Sequence, residues 1–142
     1  MAPEHYLILL TFLWVGFVSA ISFMEAWLKF RAPGVTLAIG LSIGRLIFSG
    51  MNKVEWFFGL ASLALLFVSG FFGDSMAFFL YIPILILLLQ SIWLLPAMNK
   101  RAELVISGAE LPKSVLHFYY IGAELVKVIM IVSFGVTLLG TL

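Results

Sequence analysis

Cysteine is absent from the 142-residue sequence. That excludes disulfides, thiolate catalysis, iron–sulfur clusters and Cys-type zinc sites. Charge is scarce as well: 11% of residues are Asp, Glu, Lys or Arg, and the net charge is +1. A soluble domain carries about 25% charged residues. The near-neutral balance gives no footprint for a phosphate backbone and so excludes nucleic acid as a partner. There is too little polar surface to coat a globule, which excludes a soluble enzyme and a disordered tail. A basic leader segment is also lacking, because Met1-Ala2-Pro3-Glu4-His5 contains no Lys or Arg. Val18-Ser19-Ala20 resembles a cleavage site, but without that basic start the first apolar run is expected to be a retained span. What the chain has in quantity is apolar: 63% hydrophobic residues, 14 Phe, 4 Trp and a mean hydropathy of +1.18.

A bilayer core of about 30 Å needs roughly 20 mostly apolar helical residues. Four stretches qualify, at about 6–24, 54–72, 75–95 and 115–139. Backbone groups in lipid must be satisfied internally, and these runs are far longer than barrel strands. The expected fold class is therefore all-α, an integral membrane four-helix transmembrane bundle forming a single domain over 1–142. Its immediate partner is the lipid bilayer. Orientation follows Lys and Arg. Lys29, Arg31, Arg45 and Lys53 lie between spans one and two, and Lys100, Arg101 and Lys113 between spans three and four. The link between spans two and three has only Asp74. Both basic loops are thus expected in the cytoplasm and both termini outside, in the cell inner (plasma) membrane. Trp27, Trp56 and Trp93 fall near the same ends, where amphipathic rings settle.

Gly70 and Gly73 flank Asp74 as a short outer turn. Pro83 should kink span three, Pro96 should close it by biasing Leu95 away from helix, and Pro112 suits a helix start. Asn99 to Lys113 reads as water-facing, broken at Gly108. Val35 to Lys53 is helical in composition, with Pro33-Gly34 as a start signal. Joined to span two it makes a helix of about 38 residues, or about 57 Å. Such a helix either projects beyond the hydrocarbon or breaks near Ser49-Gly50. Gly40 and Gly44 form a small-xxx-small pair suited to close packing.

A charged side chain at mid-bilayer costs roughly 2.5–3.5 kcal/mol on insertion scales, so the polar residues of the spans need partners. Arg45, Asn52 and Glu55 share one helical stripe with Ser49. They either sit at the headgroups, with Arg45 snorkelling, or form a polar cluster in the bundle mouth. His117, Tyr120, Glu124 and Lys127 form a second stripe, in which Glu124 and Lys127 can pair along their own helix. His117 suits an interfacial imidazole, and His117 with Glu124 also suits a proton path or a headgroup site. Gln90 and Glu25 are the expected partners from other helices. The di-iron type of bundle places a Glu-x-x-His pair on each of two helices, and that pair is missing here. No Ser-His-carboxylate spacing stands out either. No metal, no cofactor and no catalytic residue is therefore expected.

Two stretches carry a family resemblance. One runs from Trp14-Val15-Gly16 to Pro33 and on through Leu37-Ala38-Ile39-Gly40 and Ile43-Gly44-Arg45-Leu46-Ile47-Phe48-Ser49-Gly50-Met51-Asn52-Lys53-Val54-Glu55. The other is Leu95-Pro96-Ala97-Met98 with Arg101, Gly108, Leu116-His117 and Tyr120. Together they resemble the transmembrane protein 205-like family of small four-helix membrane proteins. That family has no established biochemical activity, so the resemblance implies a four-span bundle and no catalytic residue. The spacing Arg45…Asn52…Glu55 also resembles the membrane-associated eicosanoid and glutathione metabolism family of four-span trimers. In that reading the three residues would hold a thiol tripeptide, with glutathione transfer or peroxide reduction as the activity. The expectation favoured by the whole chain is a structural or accessory subunit, in contact with other membrane chains as a homo-oligomer or in a larger complex. A transport or ligand-handling protein using the polar groups of spans two and four is the alternative.

Overall fold

The computed structural model describes residues 2–142, and every regular element among them is helical. Four helices are long and apolar enough to cross a membrane: α1 (Pro3–Arg31), α2 (Leu37–Val68), α3 (Ser75–Ile106) and α4 (Leu116–Leu139). Short connections force sequential neighbours to run antiparallel. Each helix packs on the next, and α4 returns to α1, which closes a four-membered bundle. The basic connections α1–α2 and α3–α4 therefore share one end, where Arg45 meets Glu103 at 2.5 Å.

Local chemistry sets the ends of these helices. Thr36 caps α2, its hydroxyl accepting from the Ile39 N–H at 3.3 Å. Asp74 caps the start of α3 through the Met76 N–H at 2.9 Å. Helices α2 and α3 finish in the same way. Gly70 (φ 83°) and Gly108 (φ 95°) adopt the left-handed conformation that glycine tolerates. Each closes a paired six- and four-residue hydrogen-bond motif, Phe71 to Leu66 with Gly70 to Phe67, and Ala109 to Leu104 with Gly108 to Val105.

One open alternative is decided and two sequence expectations are corrected. First, α2 is one unbroken helix of 32 residues, about 48 Å, so the continuous form is the one found, with no break at Ser49-Gly50. Gly50 costs only about 1 kcal/mol inside a helix, too little to interrupt one held by tertiary packing. Second, α3 does not stop at Leu95. Leu95 stays helical (φ −66°, ψ −45°) because Gln90–Leu94 forms a wider π turn, in which the Leu95 N–H bonds the Gln90 carbonyl. That turn relieves the clash between the Pro96 ring and the carbonyl four residues earlier. Third, Pro112 does not open α4. It lies in the loop, where its carbonyl accepts from Arg101, and α4 begins at Leu116 beside Ser114. Pro83 sits inside α3, which runs through it.

Buried positions recur at steps of three and four along each helix: Leu7, Thr11, Trp14, Val18 and Ser22 on α1, and Tyr120, Glu124, Lys127, Ile131, Phe134 and Leu138 on α4. That is the periodicity of a bundle seam. Two apolar clusters result. The larger, around Trp14, Leu66, Leu80 and Phe134, fills the half of the bundle near the termini. The smaller, Met51, Leu94, Leu95 and Tyr120, lies toward the basic end. Gly40 and Gly44 are buried and receive the end of α1. A Cβ at Gly40 would stand 2.0 Å from the Phe30 ring, and one at Gly44 would stand 2.9 Å from Lys29 Nζ.

The α1–α4 seam is tight where Gly135 faces Thr11 and Phe12, at 3.1 and 3.0 Å from the position its Cβ would take. Gly135→Leu should therefore destabilise the bundle by about 1–3 kcal/mol through overpacking. Gly50→Ala, which would meet nothing within 4 Å, should be neutral or stabilising by up to about 1 kcal/mol. Unfolding in detergent compares the two, and a tolerated Gly135→Leu would refute the close approach.

Candidate functional site

Between the two apolar clusters lies a polar layer to which every helix contributes. Its anchor is Lys127 on α4. The Lys127 Nζ donates to Glu55 Oε1 at 2.8 Å and to Oε2 at 2.6 Å across the bundle axis, and stands 2.8 Å from Glu124 Oε1 on its own helix. The Trp14 indole N–H donates to Glu55 Oε2 at 2.9 Å. Gln90 Nε2 donates to Glu124 Oε1 at 2.6 Å, and the Ser22 hydroxyl donates to Oε2 at 3.0 Å. Glu55, Gln90, Glu124 and Lys127 are 0–2% exposed. Ions removed from water to this degree persist only when paired and hydrogen-bonded, and here every charged oxygen has a donor. One acceptor, Gln90 Oε1, has no partner.

Two of these donors sit at departures from the regular α-helix. Ser22 lies within a π segment at Ala20–Glu25, and Gln90 opens the one at Gln90–Leu94. A π turn inserts a residue and rotates the following face, and such turns recur at functional positions. Both of these supply a ligand to the same carboxylate, Glu124.

A second set lies beside the layer. Ser91 accepts from Asn52 Nδ2 at 2.9 Å and from the Trp56 indole at 2.8 Å, and donates to the Leu87 carbonyl at 2.8 Å. The third region is the basic end. There Arg45 pairs with Glu103, and His117 is exposed at the start of α4. Tyr120 is buried one turn before Glu124, with its ring edge-on to Phe48 at 5.1 Å.

The structure thus brings together Glu55, Gln90, Glu124 and Lys127 and separates them from Arg45, Asn52 and His117. The stripe Arg45–Asn52–Glu55 ends on three different partners: Glu103, Ser91 and Lys127. Gln90 is the cross-helix partner of Glu124, and Glu124 does approach Lys127 along α4. Glu25 is not a partner of that pair. It faces Lys29 four residues on at 3.4 Å, because it lies on the far side of the π segment from Ser22. Trp56 is drawn into the bundle by Ser91, unlike Trp27 and Trp93, which are 50% and 55% exposed.

Sequence reasoning missed Trp14, Ser22 and Ser91. For Trp14 a signal existed: it falls seven residues after Leu7 on the buried seam, and a buried indole N–H needs an acceptor. Ser22 continues the same seam four residues after Val18, and Ser91 carried no signal, since a serine beside a buried face needs no partner on another helix. No family model, curated protein or solved structure matches the chain.

Removing one partner of a buried ion pair costs about 3–5 kcal/mol, whereas an apolar replacement of the pair is close to neutral. Lys127→Met should therefore destabilise strongly. Glu55→Leu combined with Lys127→Met should recover part of the loss, because one buried carboxylate, Glu124, is then left without its ammonium instead of two. Unfolding in detergent of the wild type, both single variants and the double variant measures the coupling. Additive effects would mean that the bridge contributes nothing.

Proposed function

We propose that the chain is an integral membrane protein whose four helices form a fixed scaffold, serving as a structural or accessory subunit of a membrane assembly. One observation carries this reading. The polar groups at the centre of the bundle, Glu55, Gln90, Glu124 and Lys127, are 0–2% exposed and bond one another. Lys127, Glu55 and Glu124 lock the helices together, and the outward faces are apolar, with Leu46, Phe57, Phe67 and Phe118 between 65% and 78% exposed. Such faces suit lipid or the faces of other membrane chains. The transport or ligand-handling alternative has one atom in its favour, the unpartnered Gln90 Oε1.

The same proposal places both termini outside the inner (plasma) membrane and both basic connections in the cytoplasm, in keeping with the Lys and Arg gathered at one end. Two measurements test it. A single cysteine at Ser107 should resist an impermeant thiol reagent in intact cells, while one at Gly73 should label, and the reverse pattern would overturn the orientation. In mild detergent the chain should run as a complex of fixed stoichiometry with itself or with a second membrane chain. A strict monomer that conducts solute in vesicles, with conduction lost on Gln90→Leu, would replace the scaffold reading with the transport one.

A further inference from the structure

The basic end of the bundle contains a cavity of about 110 Å³ that opens beside a second of about 400 Å³. Leu41, Met98, Ala102 and His117 line both, so the two form one continuous depression. Charge is segregated within it. The first carries Lys29, Arg45 and His117, the second carries Arg101, Lys113 and His117, and no carboxylate lines either.

Two of these cations are incompletely satisfied. The Lys29 side chain is only 10% exposed, yet its one carboxylate neighbour, Glu25, is 3.4 Å away. The ammonium otherwise lies over the rings of Phe30 and Phe48, at 5.6 and 5.4 Å from their centroids, in space left open by Gly44. Arg45 gives Nη2 to Glu103, but its Nε is buried without a partner. A buried donor of that kind costs about 1–3 kcal/mol until something accepts from it. The Glu103 side chain is 60% exposed, so it returns to water at little cost when another anion takes its place. Apart from Asn99 and Ser114, the rest of the lining is apolar and leads outward to Phe118, which is 72% exposed.

Cations above an apolar floor, at the end of helices that face lipid, match one ligand chemistry. We propose that this depression binds a phospholipid of net negative charge, with the phosphate between Lys29 and Arg45 and the acyl chain along Leu41 and Met98 toward Phe118. Arg supplies the forked donors and Lys the point charge that phosphate recognition uses. The site goes beyond the scaffold reading: a scaffold with an empty basic end would still keep its polar layer.

The test uses the full chain in a neutral detergent, titrated with phosphatidylglycerol, phosphatidylcholine or inorganic phosphate and followed by thermal unfolding and native mass spectrometry. Phosphatidylglycerol should raise Tm and remain bound, while the other two at equal concentration do not. Lys29→Gln with Arg45→Gln should weaken the lipid at least roughly tenfold, the loss of two charge-assisted contacts. Lys53→Gln removes an exposed charge outside the cavities and should leave binding intact. Leu41→Trp, which fills the depression and keeps every charge, should abolish binding, and it decides the matter if the double variant does not fold. Equal shifts from phosphatidylcholine, or unchanged binding in the filled variant, would overturn the site. A matching shift from inorganic phosphate would overturn the amphiphile as its ligand.

Discussion

The Glu55–Lys127 bridge is the constraint on which the remaining structure depends. It joins diagonal helices of the bundle, and neither group reaches water. In a medium where unpaired charge costs several kcal/mol, such a bridge tolerates few arrangements of its neighbours. It fixes the rotation of α2 and α4 about their axes, and with it which faces turn inward. Trp14 then closes the open side of Glu55, and Gln90 and Ser22 do the same for Glu124. The layer contributes specificity more than net stability, since a well-packed apolar layer would hold the helices as firmly without choosing their register.

Both departures from regular helix lie beside that layer. Ser22 and Gln90 stand four and three residues beyond Val18 and Leu87 on the buried seams, and each wide turn shifts the helix face that follows. In α3 the same turn admits Pro96 into a continuing helix. That local distortion gives the backbone a route past a residue that lacks its own N–H.

Much of this was legible in the sequence because the signals were strong and periodic. Four apolar runs with basic residues in alternate connections are enough to give four long helices with the positive charge at one end. The approach of Glu124 to Lys127 follows from a spacing of three. The pairing of Lys127 with Glu55 does not, because the residues lie 72 positions apart and no local pattern says which faces of two helices will meet. The length of α3 was underestimated where a breaker was weighed alone: Pro96 disfavours helix locally, and a π turn absorbs the cost. The role of Trp56 was obscured because an indole near a helix end satisfies both an interfacial and a buried reading until its partner, Ser91, is known.

The polar layer has a consequence for the order in which the chain assembles. Synthesis delivers α1, α2 and α3 before α4, and the ammonium that neutralises Glu55 arrives only with the last helix. Until Lys127 is in place, Glu55 has the Trp14 indole as its donor, and Gln90 has no carboxylate to bind. A nascent three-helix intermediate is therefore incomplete at its centre, however well its apolar faces pack. A polypeptide truncated ahead of Leu116 keeps the Glu55 carboxylate with no ammonium beside it.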